Sequence, residues 1–261
     1  MFTSNPFAEL SGSIAPGVMQ AYVVVMIVLV VGGTLLDVAH KGSAQYFFAN
    51  WRKSQKKGAK RVGGGQMVAL AVQTAAVDVL TSAEFCHQRR RLSHLLTMYG
   101  FLIYVITTAI MVFRYPTPLE PTPAILPTLW VIGALMVCVG GYWFWFFIRV
   151  DVASEGHSPL RIVRADMFIL SLLGSATFGL LWALVQATGS SWMYLFLGLY
   201  LAATTFLFGA IPWSKFSHMF FKPAAAFEKR VSNANESRSN LPGPADKPEK
   251  FGSARRQPQH Y

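Results

Sequence analysis

Polar positions are sparse along most of this chain, and those present gather into blocks between long apolar runs. Crossing a bilayer core takes about 20 mostly apolar residues, because only a complete helix satisfies its own backbone in hydrocarbon. Five runs reach that length: residues 17–39 (GVMQAYVVVMIVLVVGGTLLDVA), 92–113 (LSHLLTMYGFLIYVITTAIMVF), 127–148, 167–187 and 192–212. The pattern predicts an all-α integral membrane protein built as a five-transmembrane-helix bundle. A further apolar stretch, residues 66–79, is too short and too rich in alanine and polar residues to span, and is expected as a buried or interfacial helix.

The polar blocks set the orientation. Lys and Arg number none before residue 17, ten in 40–91, one in 114–126, three in 149–166, none in 188–191 and nine from 213 onward. Positive residues flanking spans stay cytoplasmic, so the alternation predicts an N-out/C-in topology. The expected layout is an outer N-terminal segment (1–16), a membrane domain (17–230) with a basic cytoplasmic loop (40–91), and a disordered cytoplasmic tail (231–261). The tail is polar and rich in Pro, Gly, Ser and charge, which leaves little apolar surface to bury. The expected location is the cytoplasmic (inner) membrane of a prokaryote. The first run lacks a positive segment before it and is long enough to remain as a span, so no cleavable signal peptide is expected.

Composition agrees with this reading. The chain is 53% hydrophobic and 13% charged, against about one quarter charged in soluble proteins. The basic loop KGSAQYFFANWRKSQKKGAKRVGGG interleaves cations with aromatics. It suits anionic headgroups of the lipid bilayer or an acidic cytoplasmic protein. No nucleic-acid-binding signature accompanies the charge, so no nucleic acid is expected. The proline-rich stretch RYPTPLEPTPAIL predicts an extended outer loop. Inverted pairs of interrupted spans are lacking, which weighs against a transporter. Cys86 and Cys138 form no CxxC pair, which argues against a cysteine-ligated cluster or a disulfide framework.

Among the six histidines, two stand within or directly after a span. His94 lies three residues beyond Arg89-Arg90-Arg91, one helical turn inside the second span. His218 lies about 39 Å along a helix counted from Trp192 at 1.5 Å per residue, which puts it at the cytoplasmic interface. Two imidazoles at matching depth on different helices can hold one haem through both axial positions. They can equally be interfacial histidines bonded to headgroups or backbone carbonyls. His87 is a fallback ligand. Met98, Phe101, Phe216, Met219 and Phe220 are candidates to line a macrocycle or simply to face lipid. Arg91 and Lys215 offer charge to haem propionates or a quinone oxygen. Asp37 and His40, near the inner end of the first span, are expected to snorkel, the alternative being a proton relay.

The segment LTSAEFCHQRRRLSHLLTMYGFLIYVITTAI resembles the second-helix region of the membrane cytochrome b family that includes the gamma subunit of nitrate reductase and the membrane subunits of heterodisulfide-reductase-like, quinone-interacting complexes. The matching positions are Arg91, His94, Tyr99, Gly100, Phe101 and Thr107. The segment IPWSKFSHMFFKP resembles that family's fifth-helix ending, through Pro212, Trp213, Ser214, Lys215, Phe216, His218 and Met219. The resemblance implies one haem b with His94 and His218 as axial ligands of the iron. The two further histidines of two-haem relatives correspond here to Tyr104 and Tyr200, so a second haem is not expected. By the same resemblance the chain would be the membrane subunit of a respiratory redox complex. It would pass electrons between a cytoplasmic redox enzyme and membrane quinone, with no catalytic residues of its own. The small size looks most like the anchor of adenylylsulfate reductase, an enzyme of sulfur metabolism, which makes that enzyme the expected partner. The alternative is a haem-free anchor that only recruits the cytoplasmic enzyme.

Overall fold

A computed structural model describes residues 3–41, 43–58, 60–83, 85, 87–149, 161–163, 166–211 and 218–237. Among these, the chain is helical and contains no strand. It divides into two compact units, one of residues 1–41 and 81–219, the other of residues 42–80 and 220–261.

The first unit begins with a short helix, α1 (Pro6–Leu10), whose residues Phe7, Ala8 and Leu10 are buried. Asn5 caps it by accepting from the Phe7 and Ala8 amides at 3.0 and 3.3 Å, while Pro6 fills the first helical position, where no amide donor is needed. The Asn5 side-chain amide also donates to the Tyr115 carbonyl at 2.9 Å, so one residue starts the helix and ties it to the chain at residue 115.

Five longer helices follow in this unit: α2 (Pro16–Lys41), α5 (Gln88–Arg114), α6 (Ile125–Trp143), α7 (Met167–Ala187) and α8 (Met193–Gly209). α6 runs on as a π-helical stretch, Phe144–Ile148. Four of them are long and apolar enough to cross a membrane: 16–40, 88–114, 125–148 and 167–187. The run 192–212, expected as a fifth span, forms the 17 residues of α8, about 26 Å of helix and shorter than the four. Lipid is the solvent these surfaces fit. Along α2, Val24, Val25, Ile27, Val28, Val31, Leu35 and Leu36 are 48–64% exposed, a stripe that would be an aggregation liability in water.

The five helices close a ring, α5 on α6, α6 on α7, α7 on α8, and α2 against both α8 and α5. Every neighbouring pair shares a side-chain hydrogen bond. Ser93 donates to the Gly140 carbonyl and the Trp130 indole to Thr108 between α5 and α6, at 2.8 and 2.9 Å. Tyr142 and Thr177 join α6 to α7 at 2.9 Å, and Ser175 and Thr204 join α7 to α8 at 2.8 Å. Tyr22 donates to the Leu201 carbonyl at 3.0 Å, and Gln20 to the Val112 carbonyl at 3.2 Å, which fastens α2 on both sides. In lipid, where burial of apolar surface drives little, such bonds average about 0.6 kcal/mol each and work together with close packing. That packing rests on small residues. A Cβ on Gly100 would sit 2.7 Å from the Gly133 carbonyl oxygen, and one on Gly133 would sit 2.8 Å from the Tyr104 amide nitrogen.

At the end of α6, Arg149 donates through Nε to Asp166 at 2.9 Å and through Nη2 to the other Asp166 oxygen and to the Arg161 carbonyl. Its guanidinium lies 3.9 Å from the Trp145 ring centroid. The pair is buried and spans the 149–166 connection, so α7 starts at a fixed place relative to α6.

The second unit contains α3 (Ser43–Lys57), α4 (Gly64–Gln73) continued by a π-helix (Thr74–Leu80), and α9 (His218–Ala234), which enters it from Phe220. The basic block expected as a loop is therefore largely helical. Trp51 stacks on Phe227 at 5.7 Å, and Asp78 receives two hydrogen bonds from Arg230, at 2.7 and 2.9 Å. Asp78 pushes the Arg230 guanidinium further above its already high range. The start of the expected tail is folded as well. α9 runs to Ala234, and Val231, Ser232 and Asn235 are buried because Ser54 bonds to Ser232, Ser237 and Asn235. Residues 238–261 lie outside the described residues.

Candidate functional site

His94 sits on the second turn of α5. His87 caps that helix without a side-chain bond, and three arginines crowd a terminus whose dipole disfavours positive charge. The preceding chain folds back over this end. Arg91 donates through Nε to the Thr81 carbonyl at 2.7 Å, and the Phe85 amide to the Ser82 carbonyl at 3.1 Å. Ser82 takes a φ of 49°, a left-handed conformation uncommon for a residue with a Cβ. The turn brings its hydroxyl, on a residue only 4% exposed, within 3.1 Å of His94 Nδ1. The Phe85 ring lies 4.8 Å from the imidazole at 40°. His94 is thus held on two sides, by Ser82 and Phe85, neither of which carries a local signature for such a role.

The expected partner, His218, opens α9, but its side chain lies outside the described residues. So do Lys215 and Phe216, and the side chains of Met219 and Phe220, so the expected His94–His218 pairing lies outside the described residues. His87 is exposed at the helix start. Arg91, expected to serve a bound anion, has its Nε on Thr81. Asp37 departs from expectation, being 1% exposed rather than snorkelling, because its position on α2 faces inward; His40, three residues on, is exposed.

Tyr104 and Tyr200 occupy the interior of the ring. Tyr200 stacks on Trp182 at 5.7 Å and 7°, and Tyr104 packs against Trp130 at 5.2 Å. Phe7 of α1 reaches both tryptophans, at 5.9 and 5.2 Å, and completes an aromatic layer. Gly179 makes room for it, since a Cβ there would lie 2.5 Å from the Tyr104 hydroxyl. No group of three or more His, Cys, Asp or Glu suited to a metal ion occurs among the described residues.

The sequence model of the citrate utilization protein B family matches residues 3–239, from α1 through the end of α9. The chain belongs to the citrate utilization protein B family. A curated relative of that name from Escherichia coli is 32% identical over 158 residues. The match covers 56% of this chain and 40% of the relative, so the chain spans well under half of that protein. No solved structure matches.

Membership in the citrate utilization protein B family corrects the resemblance drawn from the sequence. That resemblance rested on two short stretches around His94 and His218, whereas the citrate utilization match runs along nearly the whole chain. Nothing in the comparisons points to the cytochrome b or nitrate reductase gamma families, or to haem, quinone or sulfur metabolism. The respiratory electron-transfer role therefore falls, as does adenylylsulfate reductase as partner, and with it the anchor recruited to that enzyme. Short basic, aromatic and histidine patterns recur wherever a span meets a cytoplasmic face, which is why they misled.

Proposed function

We propose that this chain is a multi-pass membrane component of citrate utilisation, held in the cytoplasmic membrane of a prokaryote. In this reading α2, α5, α6, α7 and α8 are five spans, and the N-terminus lies outside. The family match supports the role, since residues 3–239 take in every helix long and apolar enough to cross. The alternation of Lys and Arg between the runs supports the orientation. Citrate carries three carboxylates, and a path for it through hydrocarbon needs cationic or polar lining. The interior of the ring is filled instead by Trp130, Trp182, Tyr104 and Tyr200, each buried. This packing favours a role at the membrane other than conducting the anion through this bundle.

The test is deletion of the gene, with growth compared on citrate and on succinate as sole carbon source. The expected outcome is loss of growth on citrate alone, restored by the intact gene, with labelled citrate still entering membrane vesicles. Undiminished growth on citrate would remove the role. Loss of vesicle uptake would replace it with transport.

A second reading concerns only the two histidines, as axial ligands of one haem b. A ligating imidazole ordinarily has its other nitrogen fixed by a hydrogen-bonding partner, and Ser82 stands in that position at His94 Nδ1. Such a group supplies one-electron chemistry when bound. A reduced-minus-oxidised spectrum of the purified protein decides it. A b-type band lost in His94→Ala supports the assignment, and no band in folded protein from haem-replete cells removes it.

A further inference from the structure

The second unit contains an apolar helix, α4, most of whose residues are exposed. None of the residues of α4, GGQMVALAVQ, is buried, and Val68 and Val72, one turn apart on one face, are 64% and 62% exposed. Within a folded unit this leaves an aliphatic face that only an apolar medium or a partner can cover. On α3, Phe48 is 55% exposed and shares a face with Arg52, one turn on. Together they line a shallow groove with Gln45 and Ala49.

Charge and connectivity indicate what covers these faces. The described acids of the unit are engaged or buried: Asp78 with Arg230, Glu236 with Lys60, and Glu228 at 8% exposure. Arg52, Lys53, Lys56 and Arg61 are all exposed. The segment is also held at both ends by helices long enough to cross a bilayer. One residue separates α2 from α3, and seven separate the end of the π-helix from α5. Seven extended residues reach about 25 Å, so both ends of the segment stay close to a helix long enough to cross.

We infer that α3 and α4 form a membrane-surface element, in which α4 sets Val68 and Val72 among the acyl chains while Arg52, Lys53, Lys56 and Arg61 bind anionic phospholipid headgroups. Apolar insertion and headgroup attraction are the two contributions that hold an amphipathic helix in the interface. The inference is independent of the role in citrate use.

The experiment uses the full chain in lipid nanodiscs, with Cys86→Ser and Cys138→Ser, and a spin label at Val68→Cys or Val72→Cys. Collision with oxygen reports lipid, and collision with a water-soluble nickel chelate reports solvent. In discs containing phosphatidylglycerol the labels are expected to meet oxygen several-fold more than nickel. In purely zwitterionic discs the ratio should fall. The triple change R52E/K53E/K56E, or 1 M salt on the unchanged charges, should abolish the dependence on anionic lipid; the salt arm needs no refolding of a variant. Labels open to nickel in both lipids would overturn the inference. Labels shielded from both reagents would mean that protein covers α4, which also overturns it. Equal insertion in both lipids, insensitive to charge reversal and salt, would overturn the headgroup assignment.

Discussion

The Nδ1 atom of His94 and the hydroxyl of Ser82 lie 3.1 Å apart, joined across the turn that precedes α5. The contact exists because Ser82 adopts a positive φ, which turns Ser82 and Phe85 over the helix start. On the haem proposal, His94→Ala should abolish the b-type spectrum. Ser82→Ala should keep the band but weaken haem retention about ten-fold or more, as loss of an orienting partner does. Haem titration of the purified protein measures both. Unchanged retention in Ser82→Ala would assign the contact to folding of the turn alone.

The Arg149–Asp166 pair is the most buried ion pair among the described residues, with side chains 6% and 10% exposed. Asp166→Ala should cost about 3–5 kcal/mol, because a buried guanidinium loses its counter-ion. Replacing both, as R149M/D166L, should recover most of that loss. Thermal unfolding in detergent compares the three proteins.

Helix approach in the ring can be tested on its glycines. Gly133→Val places atoms against the Tyr104 amide and the Gly100 carbonyl, at 2.8 and 2.9 Å already for Cβ. Prising α5 from α6 should lower stability by about 1–3 kcal/mol or more. Gly198→Ala, on α8 with no atom within 4 Å, should be neutral or stabilising by up to about 1 kcal/mol. Unfolding midpoints that fail to separate the two would refute the close-packing account.

Within the second unit, Asp78 and Arg230 form a two-pronged pair with side chains 14% and 24% exposed. A double-mutant cycle with D78N and R230Q should give a coupling of about 1 kcal/mol, modest because water still reaches both groups. Asp78 raises the Arg230 pKa, so this contribution is complete below the ordinary arginine range and is lost only as pH rises through the higher folded value. Tryptic cleavage after Arg52 to Arg61 should therefore be faster in D78N than in wild type, by the same factor at about pH 7 and about pH 9, the ratio cancelling the protease's own pH dependence.

Hydrophobic run length alone located the four helices long and apolar enough to cross a membrane. The stretch 167–187 became α7 residue for residue and three other runs were recovered to within a few residues, while the run 192–212 formed the shorter helix α8. The reason is that backbone satisfaction in hydrocarbon depends on local composition and length. The aromatic layer needed the fold. Phe7, Trp130, Tyr104, Tyr200 and Trp182 come from five separate elements, and nothing near any of them in sequence marks a shared interior. The segment after Arg230 read as unable to fold because its composition is polar, yet Ser232 and Asn235 are buried where Ser54, some 180 residues earlier, bonds to them. The same holds for Ser82, whose hydroxyl reaches His94 only through a backbone angle that composition does not encode. Composition determined which helices are long and apolar enough to cross a membrane, since that property depends on local solvation. Only the tertiary structure decided which polar groups meet, because a hydrogen bond a few ångströms long is set by where distant segments come together.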